Sequence, residues 1–142
     1  MEKINYLIVN LVIIFIFNSC LDIAHDTRNL KIFNKSNSIV YCLMSDSDLF
    51  TNPYISYKES GLEKRNILKE NTFITYPINP KTWEEYIKSA KNGKLRLFFI
   101  SKDSLDKYGW KRVLTNNIYT KVYKLDMKEI KKMKWEFIYN GK

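Results

Sequence analysis

Two short segments of this chain are apolar on both faces of the strands that they predict. Residues 39–44 read Ile-Val-Tyr-Cys-Leu-Met, and residues 95–100 read Leu-Arg-Leu-Phe-Phe-Ile. A strand with one solvated face alternates apolar and polar residues, whereas a strand covered on both faces is a nearly continuous apolar run. We therefore expect both segments to be central strands of a sheet that is covered on each side.

Further segments have the composition of strands: residues 29–34, 71–76, 118–125 and 135–139. The cluster Lys-Ser-Asn-Ser at 35–38 is typical of a turn, so the first two strands of the chain are predicted to form a hairpin. Residues 45–71 are the least regular part and predict a long loop with at most one weak helical turn.

Three short helices are predicted in the second half. Two begin with the spacing of a capping box: Thr82 with Glu85, and Asp126 with Glu129. Asn79-Pro80 is an alternative start for the first of them. The middle helix begins after Ser101, breaks at Gly109 and adds a turn over residues 110–114.

These elements predict an α+β fold with a mostly antiparallel sheet of about six strands and three short helices. Residues 126–134 are too few for a typical parallel crossover, which needs a dozen or more residues. A β-sandwich with helical insertions is the alternative.

The N-terminus has the pattern of an export signal. Lys3 precedes an apolar run over residues 7–17, and Ser19-Cys20 follows it. This start resembles a bacterial lipoprotein signal, which is cut before the cysteine and implies a lipid anchor such as palmitate on Cys20. An ordinary signal peptide or an uncleaved anchor is the alternative. We thus divide the chain into a signal peptide (1–19), a lipidated tether (20–28) and one α+β domain (29–142).

The folded part carries a further resemblance. Residues 94–110 and 117–139, together with an opening segment at 30–41, resemble small uncharacterised lipoproteins of Bacteroidota-type bacteria. The chain departs from their pattern at Lys124, where an acidic residue is usual, and at Asn140, where proline is usual. The resemblance implies a fold and a place in the outer membrane or cell envelope, on its periplasmic or its surface side. It implies no activity.

The basic charge lies entirely in the second half. The chain has a net charge of +9, and residues 81–142 hold 16 Lys and Arg against 7 Asp and Glu. An export signal argues against nucleic acid as a partner. The basic groups Lys111-Arg112 and Lys128, Lys131, Lys132 and Lys134 could rest on an anionic membrane, or they could form an ordinary solvated surface.

Groups that carry catalysis are sparse. The single histidine, His25, lies in the predicted tether, which argues against a nucleophilic triad. The chain lacks the usual ligand set of a zinc site and a glycine-rich phosphate loop. Glu84 and Glu85 are neighbours that point in different directions, and Asp46 and Asp48 fit a turn better than a calcium loop. We expect no enzyme activity, no metal and no cofactor.

Two functions of different classes remain. The first is a non-enzymatic module that binds another protein of the envelope or has a structural role. The second is a glycan-binding surface lipoprotein in which Tyr54, Tyr57 and Trp110 stack on sugar rings. The remaining cysteine, Cys42, lies in an apolar strand and is expected to be buried.

Overall fold

A computed structural model describes residues 28–49, 59–77 and 82–141. Its strands are β1 (Leu30–Asn34), β2 (Val40–Ser45), β3 (Ile67–Leu68), β4 (Phe73–Tyr76), β5 (Leu95–Ser101), β6 (Lys121–Leu125) and β7 (Glu136–Tyr139). Its helices are α1 (Glu59–Asn66), α2 (Trp83–Ser89), α3 (Lys102–Thr115) and α4 (Met127–Lys132), with a 3-10 turn at Lys91–Gly93. The predicted α+β class is confirmed. The helix α1 lies in the segment predicted to be mostly irregular.

The strands form two sheets rather than the single sheet that we predicted. One has the order β4-β1-β7, and the other has the order β3-β2-β5-β6. The pairing of β1 with β7 is parallel, and the other pairings of the described strands are antiparallel. The strands β6 and β7 therefore belong to different sheets, and α4 connects them without a parallel crossover inside one sheet.

The predicted hairpin between the first two strands is wrong, because β1 and β2 belong to different sheets. The buried side chain of Asn34, at the end of β1, explains the change of direction. Its amide donates to the carbonyls of Ser38 and Leu68, and its Oδ1 accepts from the backbone and hydroxyl of Ser36. These bonds satisfy the turn locally, so the chain crosses from one sheet to the other instead of folding back.

The main core lies where the inner faces of the two sheets meet. Alternate residues of β1 and β7 point into it, and Phe99 of β5 stacks on Tyr139 with ring centroids 4.1 Å apart. Trp83 and Ile87 of α2 and Ile130 of α4 belong to the same core. A second core lies on the opposite face of the four-stranded sheet, where α3 covers β2 and β5. Both apolar strands are central and covered on each side, as predicted.

The helix starts follow the sequence signals. Both capping boxes form, with Thr82 and Asp126 as the N-caps, and Ser101 caps α3. Gly109 interrupts α3 with a φ of 70°, a conformation that glycine adopts without a steric cost, and the helix then continues to Thr115. The alternative start at Asn79-Pro80 lies outside the described residues.

Candidate functional site

The outer face of the three-stranded sheet is the part of the described fold that the two cores leave uncovered. In β1, Leu30, Ile32 and Asn34 point inward, so Lys31 and Phe33 point outward. The strand register places Phe73 and Ile138 beside Phe33. We call Phe73, Phe33 and Ile138 the apolar row.

The apolar row is exposed to an extent that is unusual for large apolar side chains. Phe73 is 53% exposed and Ile138 is 54% exposed, whereas Phe33 between them is half-buried. The rings of Phe33 and Phe73 lie 5.2 Å apart at 38°, which is an ordinary cross-strand aromatic contact. None of the three residues belongs to either core. Adjacent exposed apolar side chains of this kind are typical of binding surfaces.

A polar row runs beside the apolar row on the same face. It consists of Thr75, Lys31 and Glu136, which the register aligns across the three strands. Lys31 Nζ lies 3.9 Å from a carboxylate oxygen of Glu136, and both side chains are about half exposed. An apolar centre with a polar, solvated rim is the usual composition of a protein–protein interface.

The sequence indicated part of this surface but not the whole of it. The alternation in residues 71–76 and 135–139 separated Phe73 and Ile138 from the inward residues of their strands. The sequence contains no signal for the register that aligns these two residues with Phe33. That register depends on the pairing of three strands distant in the chain.

Trp110 does not have the exposed position that we expected for a sugar-stacking residue. It is 6% exposed and belongs to the second core, where its ring meets the edge of Tyr41 at 5.3 Å and 84°. The break at Gly109 is followed by a further helical turn that directs Trp110 toward the sheet. Its buried Nε1 has no hydrogen-bond partner. The other two predicted sugar contacts, Tyr54 and Tyr57, and the lipidation residue Cys20 lie outside the described residues.

The lone charged residue in the apolar strand segments, Arg96, has a structural explanation. Its side chain is 1% exposed and binds the Asp48 carboxylate at 3.0 Å, and its guanidinium also donates to the backbone carbonyls of Lys91 and Lys94. Lys91 and Lys124 bind the same carboxylate at 2.8 and 3.0 Å. These partners, Lys91 foremost, hold the pKa of Asp48 well below its usual range. The cluster attaches the bend after β2 to the end of β5.

Glu84 and Glu85 diverge at the start of α2. Glu84 binds Arg28 at 2.7 Å and Lys131 at 3.1 Å, and Arg28 lowers its pKa. The Glu85 side chain instead accepts from the backbone N–H of Thr82 in the capping box. Arg28 was assigned to the tether, but its guanidinium lies over the ring of Trp135 and its carbonyl accepts from Trp83 Nε1. The folded part therefore begins at least one residue earlier than predicted.

Cys42 is buried, and burial raises the pKa of its thiol to about 12. A thiol with this pKa is a poor nucleophile at neutral pH, because the thiolate is the reactive form. Within residues 28–49, 59–77 and 82–141, no three His, Cys, Asp or Glu side chains are placed to hold a metal ion.

Comparison of the chain with protein-family models, with curated proteins and with solved structures finds no match in any of the three. In the described part of the chain, no helix is both long and apolar enough to cross a membrane.

Proposed function

We propose that this chain is a lipid-anchored, non-enzymatic protein of the cell envelope that binds another protein through the outer face of its three-stranded sheet. The exposure of Phe73 and Ile138 is the observation that carries the proposal. The lipid anchor rests on the sequence around Cys20, and the binding role rests on the sheet face.

The shape and chemistry of this face favour a protein over a small molecule. Sites for small molecules are concave and enclose most of the ligand surface, whereas this site is one face of a sheet. The polar row offers one cation and one carboxylate, Lys31 and Glu136, beside the apolar row. A partner strand or helix with apolar residues and a charged edge would match both rows.

The energetic contribution of the apolar row is modest but useful. Full burial of a large apolar side chain contributes about 1.5 to 3 kcal/mol, and Phe73 and Ile138 still expose about half of their surface. Covering each of them then contributes about 1 kcal/mol. Such a surface suits a reversible complex, or one of several contact regions of a larger assembly.

Site-specific photo-crosslinking in intact cells tests the binding face. A photoreactive residue replaces Thr75, which lies in the polar row. We expect a discrete adduct that disappears with Phe73→Ser or Ile138→Ser. Leu49→Ser is the matched control, because Leu49 is 48% exposed and lies outside the row. An adduct that survives both row substitutions would contradict the proposed face.

The anchor is tested separately. We expect wild-type chain to fractionate with membranes and Cys20→Ala to lose that association. Protease treatment of intact cells then distinguishes the surface from the periplasm, because only a surface protein is digested before the outer membrane is opened. A Cys20→Ala variant that stays with membranes would contradict the lipid anchor and favour an uncleaved N-terminal segment.

A further inference from the structure

We propose that α4 and the residues next to it form the membrane-facing end of the domain, where lysines contact anionic lipid headgroups. We call Lys128, Lys131, Lys132 and Lys134 the α4 lysines. The inference rests on the proposed lipid anchor for its geometry and adds the surface that meets the bilayer. It concerns orientation, since the anchor itself would supply attachment.

The first argument is the position at which the chain enters the fold. Arg28 is fixed there by Glu84, which also binds Lys131 of α4, at 2.7 and 3.1 Å. The Arg28 guanidinium lies 4.5 Å from the centre of the Trp135 ring, just beyond α4. The N-terminal end of the described fold and the α4 lysines therefore belong to one end of the molecule.

The second argument is the length of chain before that point. Arg28 follows Cys20 by eight residues. Even a fully extended chain of that length spans at most about 29 Å. A lipid on Cys20 would therefore hold the Arg28 end of the domain within one domain diameter of the headgroups.

The third argument is the arrangement of charge at this end. Lys128, Lys131 and Lys132 lie at positions i, i+3 and i+4 of α4 and are exposed, while Ile130 between them is buried. Lys88 of α2 and Lys128 border a groove of about 330 Å³ between the two helices.

Carboxylates at the same end are engaged within the fold. Glu84 is shared by Arg28 and Lys131, whereas Asp126 and Glu129 accept hydrogen bonds from the backbone at the start of α4. These contacts leave the ammonium groups of Lys128 and Lys132 as the exposed charges that a phosphate-rich surface would meet.

The other basic group considered from the sequence lies on a different side. Lys111 and Arg112 are on α3, which packs on the opposite face of the four-stranded sheet from the core that contains Ile130. The two groups cannot rest on one flat bilayer together. Charge alone does not separate them, and the position of Arg28 favours α4.

Amine footprinting on vesicles tests the inference with the full chain. The protein is reconstituted with phosphatidylcholine vesicles, or with vesicles containing about one third phosphatidylglycerol, and lysine acetylation is read by mass spectrometry. We expect the anionic vesicles to reduce acetylation of Lys128 and Lys132 at least about threefold, with Lys107 and Lys111 of α3 unchanged. High salt should remove the protection, because it screens charge at a surface.

Paired variants supply the control. The double substitution Lys128→Glu and Lys132→Glu should abolish the difference between the two vesicle types. The matched pair Lys107→Glu and Lys111→Glu on α3, also four residues apart, should leave it intact. Circular dichroism of both variants checks that the fold is retained.

The outcomes separate this inference from the anchor. Flotation with both vesicle types but equal acetylation of α3 and α4 overturns the inference and leaves the anchor. Flotation with anionic vesicles alone, abolished by the α4 pair, supports the surface and overturns the anchor. Flotation with neither overturns both. Protection by soluble polyphosphate but not by anionic vesicles would assign the α4 lysines to a soluble polyanion and overturn the membrane contact.

Discussion

The two sheets of this protein are built from strands of similar composition but differ in how they are covered. The four-stranded sheet has a core on each face, and Leu95 to Ile100 in its strand β5 are all buried. The three-stranded sheet has a core on one face only, and its other face exposes Phe73 and Ile138. Burial explains every apolar residue of the first sheet, whereas the outer residues of the second contribute little to folding. A binding function is therefore most economically placed on the second.

The largest expected effect separates two phenylalanines, one in each sheet. Phe99 is fully buried and stacks on Tyr139, so Phe99→Ala should lower the free energy of unfolding by about 3 to 5 kcal/mol through a lost core contact and a cavity. Phe73→Ala should lower it by less than about 1 kcal/mol, because only the contact with Phe33 is lost. Urea denaturation measures both. Equal losses would mean that the outer face is also part of the core.

A smaller effect concerns the link between the sheets. Tyr76 of the three-stranded sheet donates its hydroxyl proton to the carbonyl of Cys42 at 2.5 Å, in the other sheet. We expect Tyr76→Phe to reduce the free energy of unfolding by about 1 to 2 kcal/mol, since it leaves a buried carbonyl without this donor.

Tyr123→Phe is the comparison for Tyr76→Phe, because it removes a hydroxyl from the other sheet at a half-buried position. If the two variants lose equal stability, Tyr76 has no special role in joining the sheets.

The smallest effects compare an ion pair on each sheet. Asp48 meets three cations at the end of the four-stranded sheet, whereas Lys31 and Glu136 form a single exposed pair at 3.9 Å. Asp48→Asn should lower the melting temperature at pH 7, and Glu136→Gln should leave it unchanged.

The pH dependence of that difference has a defined sign. The pKa of Asp48 is lowered in the folded state, so its stabilisation is complete above the unfolded-state pKa of about 4 and is lost as the pH falls toward the folded-state value. The gap in melting temperature between wild type and Asp48→Asn should therefore narrow below about pH 4. A gap that stays constant down to acid unfolding would contradict the lowered pKa.

Local signals in the sequence predicted local structure well. The two capping boxes and the break at Gly109 needed only residues a few positions apart, so they were visible in the chain. The apolar runs predicted central, covered strands for the same reason. The prediction failed at residues 35–38, where turn-forming residues indicated a hairpin but the side chain of Asn34 directs the chain into the other sheet.

The candidate site was less predictable than the fold. Trp110 looked available beside a glycine and two basic residues, yet a further turn of α3 buries it against Tyr41. Phe33, Phe73 and Ile138 were visible as apolar residues, but their alignment into one exposed row was not. An apolar residue in a strand has the same sequence pattern whether a second layer covers it or not.

The sequence by itself determined the α+β class, the helix starts, the covered central strands and the concentration of basic charge in the second half, because each depends on composition or on short-range spacing. The tertiary structure alone decided the division into two sheets, the parallel pairing of β1 with β7 and the placement of the α3 and α4 basic groups on different sides. These features arise from contacts between segments far apart in the chain. Which distant strands pair depends on how the whole core packs, and no short stretch of sequence contains that information.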